Sequence, residues 1–455
     1  MDELHYLKTP LETPHMGADP TVSARVSEML LEIEAHGLDA VRRYSRELDG
    51  WDPGDFEVPA ATVAAASESL PESLRASIAF AQTQIRGFAQ AQRATLTDFE
   101  VETLPGVFLG QRQVPVSRVG AYCPSGRVPM LACAFMTILV PKVAGVETVI
   151  ACTPPRNGEM HAPTLHAIAT SGADRIFGLG GVQALAAMAF GLLGGEAGGG
   201  AGAGGAGRVR EPGGPVGEVD MIVGPGNAFV AEAKRQLFGR VGIDLLAGPS
   251  EVAVIADASA DPELAAADLL AQAEHGPTSP AVLITTSEAT GRAVIAEIDR
   301  QLDALDALGG GVGDTPRRAW TDHGSVILVA DREAAVRVAD AVATEHLEVH
   351  TAEDDFYFAR LRNYGSLFLG ERATVAFSDK AIGTNHTLPT GRAARYTGGL
   401  SVAKFLKTLT YQRIDSDEGV AAIAPHVVEI ARADLMPAHE ASAAKRLERL
   451  GVPAG

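Results

Sequence analysis

An α/β protein with parallel sheets, led in by helices and closed by a helical C-terminal segment, is the fold this sequence predicts. Three observations predict it. Apolar runs of strand length alternate with amphipathic stretches of helix length from Thr148 to Leu305, helical periodicity spans 21–48 and 72–94, and 455 residues exceed one ordinary core. Two or more domains are therefore expected.

The lead-in helices are separated by the turn-rich Leu48-Asp-Gly-Trp-Asp-Pro-Gly. Strand and helix then alternate. Thr148 to Cys152 and Arg175 to Leu179 read as strands, and Thr164 to Thr170 and Val182 to Phe190 as helices. A second block continues with strands at Met221 to Val223, Glu251 to Ala256 and Ala281 to Thr285, and with helices Ala228 to Phe238, Pro262 to His275 and Glu288 to Leu305. Such alternation predicts right-handed crossovers within parallel sheets. Val420 to Leu450 reads as two helices broken near Pro437. Gly194 to Gly207 is almost wholly Gly and Ala, and Arg208 to Gly217 is rich in Gly, Pro and charge; neither has the side chains to build a core, so 194–217 is expected to be a flexible insertion.

Charge and cysteine usage narrow the class. A formal charge of -19 disfavours nucleic acid or an anionic membrane as partner, because either needs a basic surface. No basic leader opens the sequence and no apolar run reaches the roughly 18 residues of a spanning helix, so a cytoplasmic location is expected. Cys123, Cys133 and Cys152 are odd in number and lack C-x-x-C spacing, which indicates neither a disulfide framework nor a structural zinc site.

Gln272-Ala-Glu-His275 places an amide and an imidazole on one face at the predicted helix end, where exposed carbonyls favour a cation. A surface or packed histidine is the plainer reading of that pair alone. Asp261-Pro262 reads as its N-cap and first-turn proline, and Gly276-Pro277 as its stop. Gly178-Leu-Gly-Gly-Val-Gln183 follows a strand and opens a helix, but Gln183 stands where a dinucleotide fingerprint needs its third glycine. Gly224-Pro-Gly-Asn227 also follows a strand, and Asn227 suits either a simple helix cap or a cofactor contact. Both loops fall at the carboxyl ends of strands, where open sheets bind ligands. Glu345-His346-Leu-Glu348 sets a carboxylate beside an imidazole, as acid-base work requires, though a solvated strand or helix end fits as well. His439-Glu440 opens like a zinc-protease motif, but Ala443 occupies the position of its second histidine.

Taken in order, Gly120-Ala-Tyr122-Cys-Pro, Gly224-Pro-Gly-Asn-Ala-Phe-Val, Ala247-Gly-Pro-Ser-Glu-Val, Gln272-Ala-Glu-His, Glu345-His-Leu-Glu, Gly383-Thr-Asn-His386-x-Leu-Pro-Thr and Ala438-His439 resemble the histidinol dehydrogenase family. The resemblance runs from about Val119 to Leu450. It implies two Rossmann-like α/β domains similar to those of aldehyde dehydrogenases, with a C-terminal arm that reaches a partner in a homodimer. It divides the chain into a helical lead-in with part of the catalytic domain (1–121), an NAD-binding domain carrying the glycine-rich insertion (122–249), a catalytic zinc domain (250–400) and a helical dimerisation arm (401–455). It further implies zinc held by Gln272, His275 and Asp379 with His439 from the other subunit, and NAD contacts at Tyr122, Gln183 and Asn227. Ser250, His346, His386 and Asp434 would line the substrate pocket together with the zinc ligands, and Glu345 and His346 would form the acid-base pair. The implied reaction oxidises a primary alcohol through an aldehyde to a carboxylate with two NAD. A thiohemiacetal on Cys133 or Cys123 is the alternative chemistry, weakened because neither has an evident activating histidine or lysine beside it in sequence. A metal-dependent hydrolase or lyase without redox chemistry is another class.

One stretch departs from the family pattern. Members that oxidise histidinol usually carry E-S-x-G-D-Y around the ligand aspartate, whereas this chain has Val375-Ala-Phe-Ser378-Asp379-Lys380, and Asp434 replaces a glutamate. With Ile382-Gly-Thr-Asn-His-Thr and Ala394-Arg395-Tyr-Thr-Gly-Gly-Leu, this is similar to the branch that includes sulfopropanediol dehydrogenase. The exchange of carboxylate for ammonium favours an anionic diol such as 2,3-dihydroxypropane-1-sulfonate over L-histidinol, with Arg392 and Arg395 as candidate sulfonate partners.

Overall fold

The computed structural model describes residues 5–12, 19–125, 129–194, 216–246 and 248–452. Most of the expected 194–217 insertion, and Ala247 of the A-G-P-S-E-V motif, therefore lie outside the described residues. In chain order the strands are β1 (His5–Lys8), β2 (Phe99–Leu104), β3 (Val107–Pro115), β4 (Arg118–Tyr122), β5 (Thr148–Thr153), β6 (Arg175–Gly178), β7 (Met221–Val223) and β8 (Gly242–Ile243). They continue with β9 (Val252–Ala256), β10 (Ala281–Thr285), β11 (Ser325–Leu328), β12 (His346–His350), β13 (Ser366–Leu369) and β14 (Leu406–Ile414).

Two sheets carry the α/β architecture. The first has the order β6-β5-β4-β7-β8 and is parallel throughout. Its strand order reverses between β4 and β7, which end at Tyr122 and Val223, the switch point at which open parallel sheets take their ligands. The second has the order β1-β11-β10-β9-β12-β13, parallel except for the edge strand β1. These sheets carry out the predicted alternation. A third sheet, β14-β3-β2, is antiparallel and lies outside that pattern. Its strands are largely exposed, which blurs the apolar period that would announce them.

Each parallel sheet is covered on both faces. Helix Pro20–Tyr44 is capped by Asp19, which accepts from the amide of Thr21 at 2.8 Å. Val26, Met29, Ile33, Val41 and Tyr44 recur at helical spacing and bury against Val182, Leu185 and Val230 of the first sheet's helices. Helix Glu72–Ala94 covers the opposite face through Ile78, Ala81, Ile85 and Ala89. In the second sheet Leu347 and Val349 of β12 face one core, so the alternate residues His346, Glu348 and His350 face the other side, towards helix Pro262–Ala273.

Helices Asp417–Ala433 and Pro437–Arg449 close the chain, as the break at Pro437 predicts. They pack on each other through Ala424, Val428, Ala443 and Leu447. Among the described residues no helix is long and apolar enough to cross a membrane.

Candidate active site

The helix that carries Gln272 begins as expected, with Asp261 accepting from the amide of Glu263 at 2.8 Å and Pro262 in the first turn. It stops earlier than the sequence predicts, at Ala273, and His275 lies in the turn beyond it, its N–H donating to the Gln272 carbonyl at 3.1 Å. The tighter closing turn satisfies a carbonyl that Gly276-Pro277 would otherwise leave without a helical partner. Gln272 is fully buried, and both atoms of its amide head lack a hydrogen-bond partner. Such an orphaned amide costs stability unless something binds it.

Asp379 comes to His275 from helix Val375–Lys380, whose N-cap Thr374 accepts from the amide of Ala376. Its Oδ2 lies 3.4 Å from Nε2 of His275, and its Oδ1 lies 3.8 Å from Nε2 of His346. His386 is held on the other side of Asp379 by a 3.3 Å contact between its Nδ1 and the Asp379 carbonyl oxygen. Its remaining ring nitrogen is 3.5 Å from Sγ of Cys133, a neighbour that sequence distance concealed. Burial nonetheless pushes the Cys133 thiol well above its ordinary value, so the histidine does not make it a thiolate.

Glu345 and His346 are both buried, which removes the reading of this motif as a solvated element end. Nδ1 of His346 lies 3.6 Å from Oε2 of Glu345, and the same carboxylate oxygen accepts from the amide of Glu251 at 3.1 Å. Ser250 lies close enough to Glu345 for its hydroxyl to favour the ionised carboxylate, against the larger effect of burial. Desolvation raises the Glu345 carboxyl well above its usual range and lowers His346 to about 4, so the imidazole is neutral at pH 7. His386 is likewise held down by burial. Glu251, which the sequence reading did not single out, is raised to about 7 by burial while accepting from the amide of Gly391 at 3.1 Å. Its position at the mouth of β9 beside Ser250 is the signal that marks it.

Ser250, His275, Glu345, His346, Asp379 and His386 thus form one connected group, with Gln272 one turn before His275. The group sits where β9 and β12 begin, not where they end, so the second sheet uses its amino edge. Asp434 and His439 stand apart. Both are exposed on the C-terminal arm, with no hydrogen bond or ion pair to this group among the described residues, and His439 lines a cleft of about 450 Å³ between the arm's own helices. Val375 also differs from expectation: it is buried in the core of the second sheet with Leu269 and Phe368, so its side chain does not set the charge of the pocket.

Three further residues gather at the carboxyl edge of the first sheet. Tyr122 ends β4, and its hydroxyl accepts from the amide of Gly181 at 3.1 Å, while burial raises its pKa to about 12. Gln183 donates from Nε2 to Asp49 at 2.8 Å, leaving Oε1 buried without a partner. Asn227 caps helix Ala228–Leu237, accepting from the amides of Phe229 and Val230 at 3.1 Å each. Gly224 has φ of 123°, and a Cβ there would come within 2.1 Å of the Tyr122 carbonyl oxygen, so the two loops meet only through glycine. The buried pair Lys234 and Asp244 grips this turn: Lys234 donates to the Gly224 carbonyl at 3.0 Å and Asp244 accepts from the Gly224 amide at 2.8 Å.

Beside the first group lies a second set of titratable side chains, Asp268, Glu348 and His350, all buried. Burial and the neighbouring Glu348 raise Asp268 to about 7. Asp268 precedes Gln272 by one helical turn, and His350 follows Glu348 by one strand period, so both could have been found from spacing.

The family model described as histidinol dehydrogenase matches residues 13–447. A histidinol dehydrogenase homolog of Shouchella clausii is 50% identical over 430 residues, covering 94% of this chain and 95% of that protein. The sulfopropanediol 3-dehydrogenase of Ruegeria pomeroyi is 42% identical over 447 residues, covering 98% of this chain and 97% of its own length. A crystal structure of histidinol dehydrogenase from Elizabethkingia anophelis superposes with a TM-score of 0.86 at 29% identity, over 97% of this chain and 95% of that one. The motifs, the fold and these likenesses agree: the chain belongs to the histidinol dehydrogenase family.

Proposed function

We propose that the protein is a zinc-dependent, NAD-linked dehydrogenase that oxidises a primary alcohol through an aldehyde to a carboxylate, acting on a sulfonate-bearing diol such as 2,3-dihydroxypropane-1-sulfonate ahead of L-histidinol. The observation that carries it is the neutral His346 between Glu345 and Asp379. A neutral imidazole takes the alcohol proton at Nε2, and Nε2 has no hydrogen-bond partner in the chain. The 3.3 Å approach of Nδ1 to the Glu251 carbonyl suits a proton on Nδ1 and leaves Nε2 as the base. Glu345 in its ionised form then takes a proton from the water that adds to the aldehyde, and the burial that raises its carboxyl above the usual range makes that form the stronger base.

The residues fit the two absent groups. Gln272 supplies an orphaned buried amide beside the imidazole and carboxylate of His275 and Asp379, a donor set that zinc accepts. At the first sheet, Gln183 Oε1, the glycine turn and Tyr122 surround the switch point that suits a dinucleotide. Zinc bound at Gln272, His275 and Asp379 would orient the alcohol oxygen, and two NAD in succession would each accept one hydride. Asp434 and His439, exposed at the tip of the arm beside Leu435 at 88% exposure, complete the site of the partner in a homodimer.

Lys380 favours an anion. It follows Asp379 directly, and its charge acts on His386 and Cys133. The likeness to sulfopropanediol 3-dehydrogenase supports the same reading. Arg392 and Arg395 are exposed, with Nε of Arg395 donating to the Arg392 carbonyl at 3.1 Å, so they add charge at the rim. NADH formation with 2,3-dihydroxypropane-1-sulfonate and with L-histidinol tests the assignment: turnover of the sulfonate is expected, and turnover of histidinol alone overturns it. Product without NADH absorbance would place the protein among non-redox hydrolases or lyases.

A further inference from the structure

Asp268 sits one turn before Gln272 on the same helix, and Glu348 and His350 follow His346 at alternate positions of β12. Nε2 of His350 lies 3.5 Å from Oε2 of Glu348 and 3.6 Å from Oδ2 of Asp268. One ligand atom from each residue lies within 4.8 Å of the others. The far oxygens are tied back: the Thr374 hydroxyl donates to Oδ1 of Asp268 at 2.6 Å, and the Val375 amide donates to Oε1 of Glu348 at 2.9 Å. Each carboxylate is thereby turned to present its other oxygen to His350.

At Glu348 and His350 the converging atoms are buried and unpartnered. Glu348 and His350 have no solvent exposure, and neither Oε2 of Glu348 nor either ring nitrogen of His350 has a hydrogen-bond partner. Buried carboxylates this close need a counter-charge. Ligands about 2.0–2.1 Å from a tetrahedral ion stand roughly 3.3–3.4 Å apart, near the two separations to His350.

We propose that Asp268, Glu348 and His350 form a second divalent-cation site, distinct from the one at Gln272, His275 and Asp379. Two carboxylates and an imidazole, which gives up its proton on ligation, match zinc in charge and in ligand type. The ion ties helix Pro262–Ala273 to β12 and to the Thr374-Val375 turn, and so fixes the elements that carry Gln272, His346 and Asp379. It is structural and takes no part in the reaction, since Glu348 and His350 have no exposure through which a substrate could reach it.

The test counts zinc per chain by mass spectrometry after the chelator-stripped full-length protein is dialysed against zinc ion. Two per chain are expected in the unaltered protein. His350→Gln, and separately the near-isosteric Glu348→Gln, should each lose one. The double variant Gln272→Ala/His275→Ala should keep one, and zinc should still raise its Tm. A double variant that binds none, while the unaltered protein binds one, overturns this proposal and leaves the catalytic zinc standing. One zinc that survives the double variant and disappears in His350→Gln supports this site and rejects the other. Zinc content unchanged in both single variants, confirmed folded by circular dichroism, overturns it as well.

Discussion

Nδ1 of His346 lies 3.6 Å from Oε2 of Glu345, an approach between sequence neighbours made possible because Glu345 lies just before β12 begins. Burial acts oppositely on the two, raising the carboxyl and lowering the imidazole to about 4. Replacing His346 with Asn should lower kcat by about 10²- to 10⁴-fold, the usual worth of a positioned base. Glu345→Gln should slow NADH formation from the aldehyde more than from the alcohol, which assays with each substrate resolve. In single turnover of the alcohol, before the water step that uses Glu345, the acid limb should fall near pH 4 and not near 6.5, because His346 keeps its basic form down to its lowered pKa. Equal losses on both substrates in Glu345→Gln would remove it from the water step.

The arm makes a separate prediction. A Gln272→Ala protein and a His439→Ala protein, each weakly active, should regain activity when mixed under conditions of subunit exchange. One hybrid site in each dimer then has both ligands intact. Absence of recovery despite exchange, followed by native mass spectrometry, would mean that the ligands do not come from two chains.

Lys234 and Asp244 form a buried ion pair whose remaining contacts hold the Gly224 turn. Removing one partner leaves the other charge buried and unpaired, so Lys234→Met should cost ~3–5 kcal/mol in urea unfolding. Because the turn lies at the proposed cofactor site, Asp244→Asn should raise the KM for NAD more than that for the alcohol. A loss confined to the alcohol would detach the turn from cofactor binding.

Stability should also fall in acid through Glu232. Arg235 leads the interactions that hold its carboxyl down at about 2, with Gln236 and Ser23 adding to it. A depressed folded pKa stabilises the fold fully above the unfolded value of 4.5, and that contribution disappears as pH falls towards 2. Glu232→Gln should therefore lower Tm at pH 7, and the gap from the unaltered protein should narrow below pH 4.5. A gap that stays constant down to pH 2.5 would show that Glu232 contributes by packing alone.

Much of this protein is local information, and local information is what a sequence displays. The period of apolar residues along Thr148–Thr153 and Pro262–Ala273 decided strand or helix before any contact formed, and Asp261 and Asn227 announced the helices they cap. The order of the short motifs was enough for the family, and it named Ser250, His275, Glu345, His346, Asp379 and His386, which the fold brings near one another. The exposed sheet of β2, β3 and β14 was not legible, because a strand with no buried face has no period to read.

Only the tertiary structure decided what the polar residues do. Asp379 meets His275 and His346, Cys133 meets His386, and Asp268 meets His350 across separations that no spacing rule relates. It also placed Val375 in the core of the second sheet and Lys380, exposed, one residue beyond Asp379, where its charge acts on His386. The physical reason is desolvation: whether a histidine is a base or a carboxyl holds its proton depends on the water excluded by every element packed around it. Sequence periodicity specifies which face is buried, but the dielectric and the neighbours at that face exist only once β9 and β12 lie side by side.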